Sequence, residues 1–157
     1  MALSLNKSPD DILGALKNWF PHLEIGFFNK LVAEDLPWPS IVIGVERNES
    51  EFPVLVQFYQ FPGPQDEQQI MPVMIELASR FADEFKCSTI CDGSSHGDDD
   101  SPYWSMIWDH GVVYLADDAG TLFGDGEGGP VRIVRELDLD MERYKGILRS
   151  VVSPNVA

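Results

Sequence analysis

The chain has 157 residues, the size of one ordinary domain, and it is long enough to bury a core without disulfide or metal staples. A hydrophobic fraction of 44% and an aromatic fraction of 11% exclude a disordered chain, and no apolar run reaches the roughly 18–20 residues that a helical membrane span needs. With 26 Asp and Glu against 11 Lys and Arg, the net charge is −15, which argues against nucleic acid and anionic membranes as partners.

The N-terminal MALSLNKSPDD lacks a charged segment followed by a long apolar one, so no secretory leader is expected and the expected location is the cytoplasm. SPDDILGALKNWF (8–20) predicts a helix. Ser8 suits the N-cap, Pro9 the first helical position, and Ile12, Leu13, Leu16, Trp19 and Phe20 share a face. LEIGFFNKLV (23–32) reads as a short strand or an irregular packing segment, and DLPWPS (35–40) as a connector stiffened by its prolines. IVIGVERN (41–48) and PVLVQFYQF (53–61) are rich in β-formers and flank the polar tip NESEF, which fits an antiparallel hairpin.

FPGPQDEQ then breaks the sheet. A second helix is expected from near residue 70, where Pro72 either starts it or kinks it, to about Phe85. STICDG (88–93) predicts a short strand, and Ser94 to Pro102 a loop. YWSMIWDHGVVYLADD (103–118) is the clearest hairpin, turning at His110-Gly111 with the glycine taking the positive φ. AGTLFGDGEGGP (119–130) is a glycine-rich loop, VRIVREL (131–137) a last strand, and DMERYKGILRSVV (140–152) a helix capped by Asp140 and stopped by Ser153-Pro154. The order predicts one α+β domain over residues 1–157. It has a mostly antiparallel sheet of about five to six strands with an N-terminal, a central and a C-terminal helix.

Charge is uneven along this chain. Between Lys86 and Arg132 there is no Lys or Arg, yet the interval holds Asp92, Asp98, Asp99, Asp100, Asp109, Asp117, Asp118, Asp125 and Glu127. The stretch CDGSSHGDDDSPYW (91–104) invites a chemical reading first, because Cys, His and Asp stand together. A zinc site needs two ligand pairs, whereas Cys87 and Cys91 are spaced C-x3-C with no second pair. Two thiols so spaced do not make a secreted disulfide framework and are expected to be free. DGEGGPVRIVRE (125–136) has the first Asp and last Glu of a calcium loop, but Pro130 stands where that loop requires Gly. A Cys–His pair needs a depressed thiol pKa, and the negative surroundings of Cys87 and Cys91 act the other way. GDGEGG has the glycines of a phosphate cradle but carries acids and no Lys, and no GxSxG elbow is present. Paired carboxylates are too abundant for any one pair to be singled out. No catalytic residue, cofactor or metal is therefore expected.

What remains is a protein-binding surface. The hairpin carries Tyr103, Trp104, Trp108 and Tyr114, and acids crowd its ends and flanking loops. Alternation assigns Trp104, Met106 and Trp108 to a core face and Tyr103, Ser105 and Ile107 to a less buried one. The expected contacts are Asp98, Asp99, Asp100, Tyr103, Asp109, Asp117, Asp118, Asp125 and Glu127, with acids steering a basic partner.

From Cys91 onward, the CDG turn, the acidic loop, YWSMIWDHGVVYLADD and GDGEGGPVRIVREL form a sequence that resembles small acidic immunity proteins. Bacteria encode such proteins beside polymorphic or type VI secreted toxins. The resemblance is one of pattern, spans residues 40–138 and carries no diagnostic motif, so no residue roles transfer with it. It implies a cytoplasmic, non-catalytic inhibitor that binds one cognate toxin and blocks its active site. Two alternatives stay open: a type III-like secretion chaperone that binds an effector segment as a homodimer, and a small hydrolase or metal-binding enzyme.

Overall fold

The computed structural model describes residues 1–28, 37–62, 67–122 and 124–152. In chain order the elements are β1 (Ala2–Leu3), α1 (Pro9–Trp19), β2 (Glu24–Phe27), β3 (Ser40–Arg47), β4 (Val54–Gln60), α2 (Glu67–Phe85), β5 (Thr89–Asp92), β6 (Trp104–Asp109), β7 (Val112–Asp117), β8 (Arg132–Glu136) and α3 (Ile147–Val152). The class is α+β.

Local chemistry explains the strongest elements. α1 opens on a complete capping box, in which the Ser8 hydroxyl accepts the Asp11 N–H at 3.1 Å and the Asp11 carboxylate accepts the Ser8 N–H at 2.9 Å. The β6–β7 turn has positive φ at both His110 (50°) and Gly111 (85°), a twist that matches the right-handed coiling of the two strands. The sequence assigned positive φ to the glycine alone. α2 ends at Lys86, whose φ of 51° turns the chain off the helix.

The strand count differs from expectation. Among the described residues, one sheet of eight strands runs β2-β3-β4-β1-β5-β6-β7-β8, with every neighbouring pair antiparallel except β2–β3. The sheet exceeds the expected strand count because β1 and β2 join it. β1 has only two residues, too few to show any periodicity. It lies between β4 and β5, with Ala2 opposite Leu55 and Ile90, and joins the two hairpin regions into one sheet. β2 realises the strand alternative for 23–32, of which residues 29–32 lie outside the described residues, as do 35–36 of the connector.

The C-terminal helix is also corrected. The stretch 140–152 is not one helix: a single 3-10 turn covers Met141–Arg143, Gly146 sits at φ 87°, and α3 begins only at Ile147. Asp140 makes no side-chain cap there. The Ser153-Pro154 stop lies outside the described residues. α2 begins at Glu67, before the expected start, and runs on through Pro72.

The helices cover one face of the sheet. Ile12 and Leu16 of α1 and Val73, Leu77 and Phe81 of α2 bury against Leu3, Ile41, Ile43, Val54 and Val56. A second cluster continues this layer under β6 and β7 with Ile75, Ala78, Cys91, Met106, Trp108 and Leu115. The other face is not open either: Phe52 packs with Ala2, Ile90, Ile107 and Ala116, with Val131 against them. β6 is therefore buried on both sides, Ser105 and Ile107 included, and the less buried face expected there does not exist.

Candidate functional site

The β6–β7 hairpin sorts the acidic residues. Trp104 pairs with Asp117 and Asp109 with Val112, so the strand starts and the turn lie about 17 Å apart along the hairpin. The loop before β6 carries Asp98, Asp99 and Asp100, and the chain leaves β7 at that same end through Asp117 and Asp118. Asp125 joins them because the Tyr103 hydroxyl donates to its carboxylate. Glu127 is exposed in the same loop. Asp109 stands apart at the turn, where it accepts the Ser88 hydroxyl at 2.6 Å and faces His110 Nδ1 at 2.7 Å. Of the expected contact residues, the fold thus gathers all but Asp109 at one end.

The glycine-rich loop after β7 is folded on itself. Buried Thr121 is its post: its hydroxyl donates to the Asp118 carbonyl at 2.8 Å, and its carbonyl accepts the Gly126 N–H at 3.2 Å. Gly129 N–H reaches the Gly120 carbonyl at 2.7 Å, and a Cβ at Gly126 would stand 2.1 Å from the Gly120 carbonyl carbon. Backbone contact this close requires glycine. The loop before β6 is seated likewise, since a Cβ at Gly97 would meet Trp104 Cδ1 at 2.0 Å. The Trp104 indole N–H donates to Asp99 at 2.7 Å. That bond, with the Ser101 N–H, holds the Asp99 carboxyl below the usual range. Asp118 behaves oppositely: burial raises its pKa, against the opposing hydrogen bond from Ser105 and with help from Asp117 and Asp92.

The interval without bases in sequence is not without bases in space. β8 lies beside β7, so Arg132 reaches Asp117 at 2.6 Å and Arg135 reaches Asp98 at 3.0 Å. Sequence reasoning missed both arginines, because nothing in VRIVREL says which strand it will neighbour. Asp100 and Glu127 are exposed and have no ion pair among the described residues.

The aromatics divide as follows. Trp108 is buried at 4% exposure, whereas Tyr103, Trp104 and Tyr114 are half-buried, so the acidic end offers rings at its edge, beside the exposed apolar side chains of Leu122 and Ile133. The chemistry-bearing residues of 91–96 are engaged locally. Burial pushes the Cys91 thiol up to about 12, and burial also raises Cys87, so both are protonated thiols near neutral pH. His96 Nδ1 lies 2.9 Å from the Ser95 hydroxyl, and burial followed by the Arg135 charge lowers its pKa. Among the described residues, no three His, Cys, Asp or Glu side chains come together as a metal cage.

Two grooves flank this layer. One, of about 850 Å³, runs between the first turns of α2 and the turn at 94–96, lined by Met1, Met71, Met74, Asp92, His96 and Tyr144 among others, with no Lys or Arg among the described residues of its wall. The other, of about 640 Å³, lies at the opposite, turn end of the hairpin and is lined by charges of both signs, Arg80, Lys145 and Arg149 with Glu76 and Asp83. No helix among the described residues is long and apolar enough to cross a membrane. Comparison with protein-family models, with curated proteins and with solved structures finds no match to this chain.

Proposed function

We propose that this is a non-catalytic protein-binding domain, an immunity protein that captures a cognate secreted bacterial toxin in the cytoplasm through the acidic end of its β6–β7 hairpin. One observation carries the reading: Asp98, Asp99, Asp100, Asp117, Asp118, Asp125 and Glu127 are collected at one end of a rigid hairpin by the two loops that flank it. Carboxylates focused at one end raise the encounter rate with a basic surface, the kind that an enzyme acting on anionic substrates presents. The loop architecture supports the reading too, because both acidic loops are pinned by glycine–backbone or glycine–indole contact and so are preorganised.

The test is association with the toxin domain encoded by the adjacent reading frame. Replacing Asp98, Asp99 and Asp100 together by Asn slows association and flattens its dependence on salt. An unchanged on-rate at low salt removes these residues from the surface.

The second reading, a type III-like chaperone, draws support from the methionine-lined groove, which suits an extended client. It requires a stable homodimer in solution; sedimentation of a monomer at working concentration rules it out.

A further inference from the structure

Arg132 and Arg135 are three positions apart in β8, and regular alternation puts residues so spaced on opposite faces of a sheet. β8 breaks the alternation. Arg132 stands opposite Asp117 and Arg135 opposite Leu115, only two positions apart in β7, so the bulged strand carries one extra residue, Val134. Both arginines therefore stand on the face of Leu115 and its partner Met106, which Ile75 and Ala78 of α2 cover. Arg132 meets Asp117 there, and Arg135 reaches the loop before β6, two strands away. Its Nη2 donates to the His96 carbonyl at 3.3 Å and to the Asp98 carboxylate at 3.0 Å. The residues between and after are held from β6: Gly97 lies against the Trp104 ring, and the Trp104 indole N–H donates to Asp99 Oδ1. An exposed ion pair alone contributes little. Here the same guanidinium also fixes a backbone carbonyl, and contacts from two strands alternate along four consecutive residues.

We propose that Arg135 is the positioning residue of the acidic end: re-aimed by the β8 bulge, it clamps residues 96–98 and thereby fixes where Asp99 and Asp100 stand. Asp98 is engaged inside the chain, whereas Asp99 and Asp100 take part in no ion pair among the described residues. A surface whose carboxylates are held before encounter loses less freedom on binding. This inference rests on the reading of the acidic end as a protein-binding surface and adds how that surface is held.

Hydrogen exchange on the full chain reads the clamp through three protons that do not touch Arg135. They are the Gly97 N–H, bonded to Ser94, the Ser101 N–H, bonded to Asp99, and the Trp104 indole N–H. Arg135→Gln and Asp98→Asn break the contact from either side, and each is expected to speed all three about threefold to fivefold. The double variant goes no further than Arg135→Gln, and Arg135→Lys stays near wild type. The Leu137 N–H, bonded to Val113, keeps its protection and shows that β8 is still docked. The Asp99 carboxyl, held low by Trp104 and Ser101, titrates higher in Arg135→Gln but not in Arg132→Gln, which removes a cation bonded to Asp117 instead of to this loop. Wild-type exchange of the three protons in both Arg135→Gln and Asp98→Asn overturns the clamp. So does a change confined to Leu137, which places the effect of Arg135 within β8. End-blocked hexalysine at low salt tests the surface itself and is expected to move the Asp100 amide. If it moves no amide of the acidic loop, the acidic-end reading fails, and the role assigned to Arg135 falls with it even where the exchange result stands.

Discussion

The carboxylate of Glu76 accepts the backbone N–H of Leu148 at 2.9 Å and that of Gly146 at 3.4 Å, tying the middle of α2 to the first turn of α3. Glu76 is buried at 5% exposure, and Arg80 one turn on donates to it at 2.8 Å through Nη2 and at 3.2 Å through Nε. A buried carboxylate stands here because four donors converge on it. Glu76→Ala leaves the Leu148 and Gly146 N–H groups without an acceptor. The expected loss is about 2–3 kcal/mol, with Glu76→Gln falling between Ala and wild type. Denaturant unfolding measures the loss. Faster amide exchange confined at first to 146–150 identifies its source.

The glycine loop makes a paired prediction. Gly120→Ala meets no atom within 4 Å of the new Cβ, whereas Gly126→Ala drives its Cβ into the Gly120 backbone. The second variant therefore destabilises by about 1–3 kcal/mol and the first by much less. Equal thermal midpoints for the two variants contradict the packing described for this loop.

The carboxylates titrate in a set order. Hydrogen bonds from Trp104 and Ser101 depress Asp99, and the Ser88 hydroxyl depresses Asp109, so both ionise first as pH rises. Asp118, raised by burial, ionises last of the three. A group with a raised folded pKa contributes stability that is present below its unfolded value and lost as pH rises through the folded value. Asp118→Asn therefore removes a loss of stability that the wild type undergoes as pH climbs out of the acid range. Asp109 works in reverse: its stabilisation is present above the unfolded value and disappears on acidification. Carboxyl-carbon NMR titration gives the order, and unfolding at a series of pH values gives the signs.

Cys87 and Cys91 are buried free thiols with raised pKa values. Alkylation of the native chain at neutral pH proceeds only as fast as the fold opens, and both react at once in denaturant. Prompt labelling of native Cys91 contradicts its burial in β5, in the cluster with Ile75 and Ala78 of α2.

How much of this was legible beforehand follows from the range of the signals. The Ser8–Asp11 box and the His110-Gly111 turn are encoded within a few residues, and the sequence reveals both. The two-residue β1 carries no period, and Gly146 breaks a pattern from 140 to 152 that composition alone reads as continuous helix. The same limit governs the site. Acids could be counted along the chain, but the positions of Arg132 and Arg135 follow from β8 lying beside β7. The separation of Asp109 follows from which end of the hairpin it occupies. Trp104 and Trp108 alternate as core residues should, yet the opposite face is also covered, by Phe52 and Val131 from distant loops.

The two-residue β1 has a dynamic consequence. Among the described residues it is the sole junction within the sheet between the β2-β3-β4 half and the β5-to-β8 half. Neither half can separate from the other without releasing Ala2 and Leu3 from Val54, Leu55, Thr89 and Ile90 together. Any separation of the two halves therefore exposes the amides along this seam, and their exchange rate sets an upper bound on how often the halves part.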